Sequence, residues 1–431
     1  MRSSRSAGRF DVMFDDDHAV ANAGLALTAS LAEILGIEAL ADEIVDLGDR
    51  AGASRPGRKV MTLVQSMVAG GDCIDDVDVL RCASTEDVLG HKAMAPSTCG
   101  TFLRSFTFGH VRQLDRLSEA VMTRAWAAGA GPGDAAMTID MDSTICEVHG
   151  YAKQGATFGY TRARGLHPLL ATRAETGEVL HVRMRKGSAN SGRGAERFVN
   201  ELVARVRRAG ATGQLTLRAD SGFWSRKTIN ACKRLDVLVS ITVSQHDVIR
   251  KAIAAIDDDA WIDIEYTDGG VAQVAETKWK DLRLVVRRTR LVGRQATLWP
   301  DWRHHAFVTN RIGDAVALDV DHRQHAVVEL AIRDLKEGAG LNHVPSGMFN
   351  ANAAWLVLAA LAHNLLRWVA RLGLDHHGPI VAKTIRRRLI TIPGRITRSA
   401  RRDLLHLPRR WPWREQFMTA VVQLRNLPLV C

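Results

Sequence analysis

Three acids in apolar surroundings are the residues best placed to do chemistry in this chain. In Thr138-Ile139-Asp140-Met141-Asp142-Ser143, the two aspartates alternate with Ile139 and Met141. A strand alternates its side chains, so Asp140 and Asp142 share one face and the apolar pair takes the other. Carboxylates in such a strand are costly unless they are exposed, paired or holding a cation. In Gln214 to Asp220, Leu215 and Leu217 point one way and Asp220 closes the run on the opposite face. Active sites of open sheets gather at strand ends. The third acid is Glu329. Positions 322, 325, 329, 333 and 336 fall on one helical stripe, which reads His322, His325, Glu329, Arg333, Lys336. Singly, each acid also fits a solvated position, with Glu329 paired to Arg333.

Together they suit phosphodiester chemistry. That reaction needs an activated oxygen nucleophile and a stabilised leaving oxygen. Two Mg²⁺ ions roughly 3.5–4 Å apart supply both. Mg²⁺ takes oxygen ligands and keeps several waters, so two sheet acids and one helix acid suffice.

The elements that must position these acids follow from periodicity. Residues 18–46, 58–70 and 110–128 have helical spacing, and Ser97 or Thr98 is read as the cap of a helix carrying Phe102 and Phe106. Residues 1–130 are therefore expected to form a helical N-terminal DNA-binding domain, with a helix-turn-helix or a plain helical hairpin near 85–107. Strands are expected at 137–146, 167–172, 179–185, 214–220 and 237–243, with helices at 195–208 and 224–234. Three strands, a helix, a strand, a helix and a strand is the order of a ribonuclease H-like core. Residues 245–315 read as a β-rich insertion with four tryptophans. A helix over 323–337 and an apolar helix over 350–371 follow. The fold expected is a multidomain α/β and α+β protein: catalytic core over 131–244 and 316–375, insertion over 245–315, and a basic C-terminal region over 376–431.

Charge points to the partner. The 431 residues carry a formal net charge of +11, which favours a polyanion. Residues 1–50 hold ten acids against four arginines, whereas 383–414 hold eleven bases against Asp403 alone. Arg386, Arg387 and Arg388 lie in that basic run beside Trp411 and Trp413, and arginine suits phosphate contacts. The six cysteines form no CxxC pair, so neither a disulfide framework nor structural zinc is expected. The apolar run 353–370 is broken by His363, Asn364 and Arg367, which marks a buried helix and no membrane span.

Four stretches resemble a known family. They are Thr138-Ile139-Asp140-Met141-Asp142-Ser143-Thr144 with Val148-His149-Gly150; Gly159-Tyr160 through Gly165-Leu166-His167-Pro168-Leu169; Arg218-Ala219-Asp220-Ser221-Gly222-Phe223; and Glu329 with Lys336, then Asn352 and Leu361-Ala362-His363-Asn364-Leu365. In this order they resemble bacterial insertion-sequence transposases of the DDE type, the 1380 group or DDE group 1. The likeness is strongest over 137–243 and 321–371.

The resemblance implies which acids act. The family's first Asp precedes Ser/Thr-Thr, which selects Asp142 over Asp140; the second falls on Asp220. The glutamate falls on Glu329, with Lys336 after six intervening residues. The signature also has a tyrosine seven residues, and an arginine four residues, before the glutamate. Here His322 and His325 stand there, expected as protonated donors to DNA phosphate beside Arg333 and Lys336; arginine restored at 325 should then preserve activity. An aromatic in the insertion holds a flipped base in related enzymes, which makes Trp299 and Trp302 the candidates.

The expected protein is a Mg²⁺-dependent transposase, with Mn²⁺ able to substitute. It binds double-stranded DNA at terminal inverted repeats, cleaves the element ends and joins their 3′ hydroxyls to target DNA. The expectation includes a homodimer bridging both ends, in the bacterial cytoplasm with the nucleoid. The alternatives are a transposase-derived DNA-binding protein without catalysis, and a ribonuclease H-like nuclease without strand transfer.

Overall fold

The computed structural model describes residues 11–159, 162–267, 269–291, 302–399 and 402–428. After β1 (Ala19–Val20) come six helices: α1 (Leu25–Ile34), α2 (Ile37–Ile44), α3 (Pro56–Ala69), α4 (Thr85–Leu89), α5 (Pro96–Arg104) and α6 (Phe108–Ala125). The periodicity of 18–46 predicts one helix, but Gly36 has φ +62° and separates α1 from α2. At α5, Pro96 takes the first helical position after Ala95, so Ser97 and Thr98 lie inside the first turn and do not cap it. Helix α6 opens with a capping box, in which the Thr107 hydroxyl accepts from the His110 N–H and His110 Nδ1 accepts from the Thr107 N–H.

The chain then builds a mixed α/β fold around one large mixed sheet. Its strands are β2 (Met137–Ser143), then, after β3 (Cys146–Glu147), β4 (Thr157–Phe158) and β5 (Arg164–Leu166), β6 (Leu169–Arg173) and β7 (Val179–Arg183). Helix α7 (Ala195–Arg208) leads to β8 (Leu215–Ala219), and α8 (Arg226–Arg234) leads to β9 (Val237–Thr242). Strands β2, β8 and β9 are parallel neighbours, with β6 antiparallel beside β2 and β7 antiparallel beside β6. Every residue of β8 is buried, as a central parallel strand covered on both faces requires. Strands β3 to β5 form a small separate sheet.

The β-rich segment after α9 (Asp247–Ala254) extends this sheet and does not close a sheet of its own. It comprises β10 (Ile262–Ile264), β11 (Gly270–Trp279), β12 (Leu282–Leu291) and β13 (Arg303–Thr309), and β13 pairs with β9. The helix expected at 323–337 opens as a short 3₁₀ turn at Gln324–Ala326 and continues as α11 (Val327–Gly338); another helix, α10 (Ala315–Arg323), precedes it. Leu318 of α10 packs on Val274, Val285 and Phe307 of the added strands.

Helix α12 (Phe349–Leu374) is the centre of the molecule. It is the described helix long and apolar enough to cross a membrane, and its apolar window is wholly buried in the protein. Helices α1, α3, α5 and α6 pack on it together with β7, so these four helices share its core. Its polar residues hold the turn after β6. Asn364 bonds the backbone N–H and C=O of Val179 at 2.8 Å each, and His363 Nε2 meets the Gly177 carbonyl at 3.0 Å. Arg367 pairs with Asp334 of α11 at 2.8 Å, which fixes the helix that carries Glu329. Beyond it lie α13 (Ala382–Ile385), the hairpin β14 (Gly394–Ser399) and β15 (Arg402–His406), and α14 (Arg414–Arg425). Strand β14 pairs with β1, which ties the C-terminal hairpin to the segment before α1.

Candidate active site

Parallel pairing sets the register of the two sheet acids. Met141 lies opposite Ala219, so Asp142 and Asp220 fall at the same ends of adjacent strands. Asp220 turns the chain into a short 3₁₀ helix by accepting the Gly222 N–H at 3.0 Å. Asp142 accepts the Ser143 N–H at 2.6 Å. Glu329 is exposed in the first turn of α11. All three line one cavity of about 660 Å³, with His322 and His325 on one wall and Arg287, His305 and Arg323 also among its lining residues.

The cavity's charge is unbalanced. Burial, with the like charges of Asp220 and Glu329, pushes the Asp142 carboxyl up to about 6, against the pull of the Ser143 N–H and His325. A cation would relieve that repulsion, and an all-carboxylate donor set suits a hard divalent ion. The three carboxylates do not close to within 4.8 Å of one another, as Asp72, Cys73 and Asp76 do elsewhere. Asp76 is already engaged by the backbone N–H groups of Asp72 and Cys73.

Asp140 faces the same way one rung earlier and does a different job. Its register partner is Arg218, which grips it through Nε and Nη2 at 2.8 Å each, and both side chains are buried. Arg218 also donates to the Asp321 carbonyl at 2.6 Å, tying the end of α10 to β8. The third partner of Asp140 is His325 Nδ1, at 2.8 Å. The sequence showed each of these residues but not their union. Its signal was period two in β8, which puts Arg218 and Asp220 on one face beside Asp140 and Asp142.

The two histidines part company. His322 is no free donor: Nδ1 meets the Ser240 hydroxyl at 2.8 Å and Nε2 the Thr242 hydroxyl at 2.9 Å. Its ring stacks on Phe307 with centroids 4.0 Å apart. Burial, then the charges of His325 and Arg218, push its pKa down to about 3. The expected phosphate contact therefore fails at His322, because burial disfavours the charged form and β9 occupies both nitrogens.

The remaining predicted residues are scattered. Arg333 is exposed on α11. Lys336 donates to the Ile145 carbonyl at 2.7 Å, which pins α11 to the segment after β2. Arg386 is a structural residue and not a surface cation: it donates to the carbonyls of Val68 at 2.8 Å, Met67 at 3.1 Å and Gly338. Arg387 is exposed, and both it and Arg388 lie over the Trp413 ring, at 5.5 and 5.8 Å. Trp302 is half-buried beneath the guanidinium groups of Arg288 and Arg290, each 4.5 Å from its ring. Trp299 lies outside the described residues.

Comparison with known proteins gives one match to a family. The model of the family described as transposase DDE domain group 1 matches residues 3–429. No curated protein sequence matches. Among solved structures, a piggyBac transposase in a synaptic complex with hairpin DNA is similar at 13% identity and a TM-score of 0.45, over 86% of this chain and 79% of that one.

Proposed function

The chain belongs to the transposase DDE domain group 1 family, and from that premise we propose that it is a DNA transposase with its active site in the cavity between β2, β8 and α11. One observation carries the reading. Two adjacent strand ends and a helix bring Asp142, Asp220 and Glu329 to one cavity, where burial and the other two acids raise Asp142. The strand order β7-β6-β2-β8-β9, parallel from β2 onward, supports a ribonuclease H-like core.

In this reading the three acids are catalytic and hold Mg²⁺, or Mn²⁺ in its place. When bound, such ions activate the attacking oxygen and stabilise the leaving one. Water opens the phosphodiester at each element end and frees a 3′ hydroxyl, which then attacks a phosphodiester of target DNA. The protein's own part is to bind and orient the strands. Arg287 and Arg323 at the cavity and Arg333 along α11 supply positive charge for the scissile strand. Arg387 and Arg388 beside Trp413 add contacts to duplex phosphates, and Trp302 offers a ring for an extruded base. The DNA partners are terminal inverted repeats and a target duplex, bridged by a homodimer in the bacterial cytoplasm.

The test is incubation of the purified full chain with Mg²⁺, a duplex bearing the repeats that flank its gene, and a target plasmid. Nicks at the repeat ends followed by joined products are expected. Cleavage without joining would assign a nuclease, and binding without cleavage a DNA-binding protein.

A further inference from the structure

The buried Asp140–Arg218 pair determines what His325 offers the cavity, in a way its position in the sequence does not reveal. Two guanidinium donors hold the Asp140 carboxylate at 2.8 Å each, and the same carboxylate faces His325 Nδ1 at 2.8 Å. The positive form of His325, the one that pulls on Asp142, carries a proton on both nitrogens; in the neutral form, a carboxylate with only acceptor atoms to present keeps the proton on Nδ1. Nε2 is then a lone pair. It has no protein partner among the described residues, and His325 lines the cavity with Asp142, Asp220 and Glu329. A phosphate oxygen, itself an acceptor, is the wrong partner for that nitrogen.

We propose that His325 Nε2 accepts the O–H of the attacking water or 3′ hydroxyl and aims its oxygen at phosphorus, with Asp140 and Arg218 as the positioning residues that hold the required tautomer. This rests on the transposase reading and deepens it. The hydroxyl that donates to Nε2 forms the new O–P bond as the bond from phosphorus to the leaving 3′ oxygen breaks. The leaving oxygen takes a proton from solvent, and the nucleophile's proton returns to solvent, so charge and atoms balance.

The arrangement is economical in sequence terms. Arg218 and Asp220 alternate on β8, as Asp140 and Asp142 do on β2. One rung carries the acids of the cavity, and the next carries the pair that aims the histidine above them. Arg218 also holds Asp321, the residue before His322, so it sets the approach of the chain that delivers His325.

Single-turnover cleavage of a terminal-repeat duplex separates this role from a phosphate contact. The full-length wild type is compared with His325→Arg, His325→Ala, Asp140→Asn and the Asp140→Asn/His325→Ala double variant, alongside end affinity and melting temperature. An arginine cannot accept, so His325→Arg should cut ~10²-fold more slowly at unchanged end affinity, the scale expected of a misaligned nucleophile. Asp140→Asn offers an amide that can donate to Nδ1 and so turns the tautomer round. Its loss should not multiply with that of His325→Ala, because both remove one acceptor. His325→Arg cleaving as fast as wild type, or losses that multiply, would overturn the proposal while leaving the transposase reading intact. A wild type that cuts no end DNA would overturn both.

Discussion

Two charged clusters in this protein use the same residue types to opposite ends. At the seam of α6, β7 and α7, Asp115 and Glu201 are surrounded by Arg112, Arg183, Arg197, Arg205 and His181. Burial would raise both acids, but Arg205, His181 and Arg112 outweigh it for Asp115, as His181, Arg183 and Arg197 do for Glu201; both carboxyls sit well below the usual range. At the cavity, Asp142 meets Asp220 and Glu329 instead and is pushed up to about 6. An acid held low is already satisfied by the fold, and one held high is waiting for something the fold does not supply. The contrast recurs one rung apart on β2, where Asp140 is gripped by Arg218 and Asp142 has no such ion pair among the described residues.

The largest effect should come from the unsatisfied cluster. Asp142→Ala, Asp220→Ala and Glu329→Ala should each lower end cleavage by at least about 10³-fold in gel assays, while filter binding of the same duplex changes little. Near-normal cleavage by Asp142→Ala would move the role to Asp140 and erase the contrast.

The satisfied cluster should respond in the opposite currency. Arg205→Ala takes the buried guanidinium from Asp115, leaving it Arg112 and His181, and should cost up to about 3–5 kcal/mol in denaturant unfolding, the usual range for breaking a buried pair. Cleavage per folded molecule should hold. A parallel loss of cleavage at full stability would show that the α6–α7 seam reports to the active site.

Asp142 itself makes a prediction about pH. Its folded value, about 6, lies above the reference of 3.8, so the folded state binds more protons between those values. Stability relative to an ordinary carboxyl is therefore full below pH ~4 and falls as pH rises through 6. Asp142→Asn should be more stable than wild type by ~1–3 kcal/mol at neutral pH without divalent ions, and equal to it near pH 4. Melting curves across that window check the sign.

The smallest effect concerns the basic region. Arg386 is spent on backbone carbonyls, so only Arg387 and Arg388 of the three adjacent arginines remain for DNA. Replacing both with alanine should flatten the slope of log K against log salt by up to ~1.8, at ~0.9 per phosphate contact. Arg386→Ala should lower the melting temperature instead.

These outcomes trace what the sequence could and could not say. Period-two alternation placed the acids on their strands, and the pairing of β2 with β8 brings Asp142 and Asp220 side by side. Glu329 was legible from its stripe, since α11 keeps helical spacing. His322 was misread because a stripe does not say which face another strand will cover; Ser240 and Thr242 lie about 80 residues upstream. Arg386 was misread for the same reason, as its partners Met67 and Val68 are more than 300 positions away. The tryptophan-rich segment was legible as β-rich, but β-propensity does not reveal which edge it joins; β13 continues the sheet through β9. Long-range partners, not local propensity, decided each of these.

Divalent-ion binding tests the central claim most directly. Mn²⁺ is titrated into the full-length protein at neutral pH and followed by calorimetry, for wild type, Asp142→Ala, Glu329→Ala and an Asp72→Ala/Asp76→Ala control. The unsatisfied cluster predicts binding in wild type and in the control, together with a higher melting temperature, and loss of both in Asp142→Ala and Glu329→Ala. Binding that survives in Asp142→Ala and disappears in the control would place the ion at Asp72 and Asp76, and the cavity acids would have no claim to it.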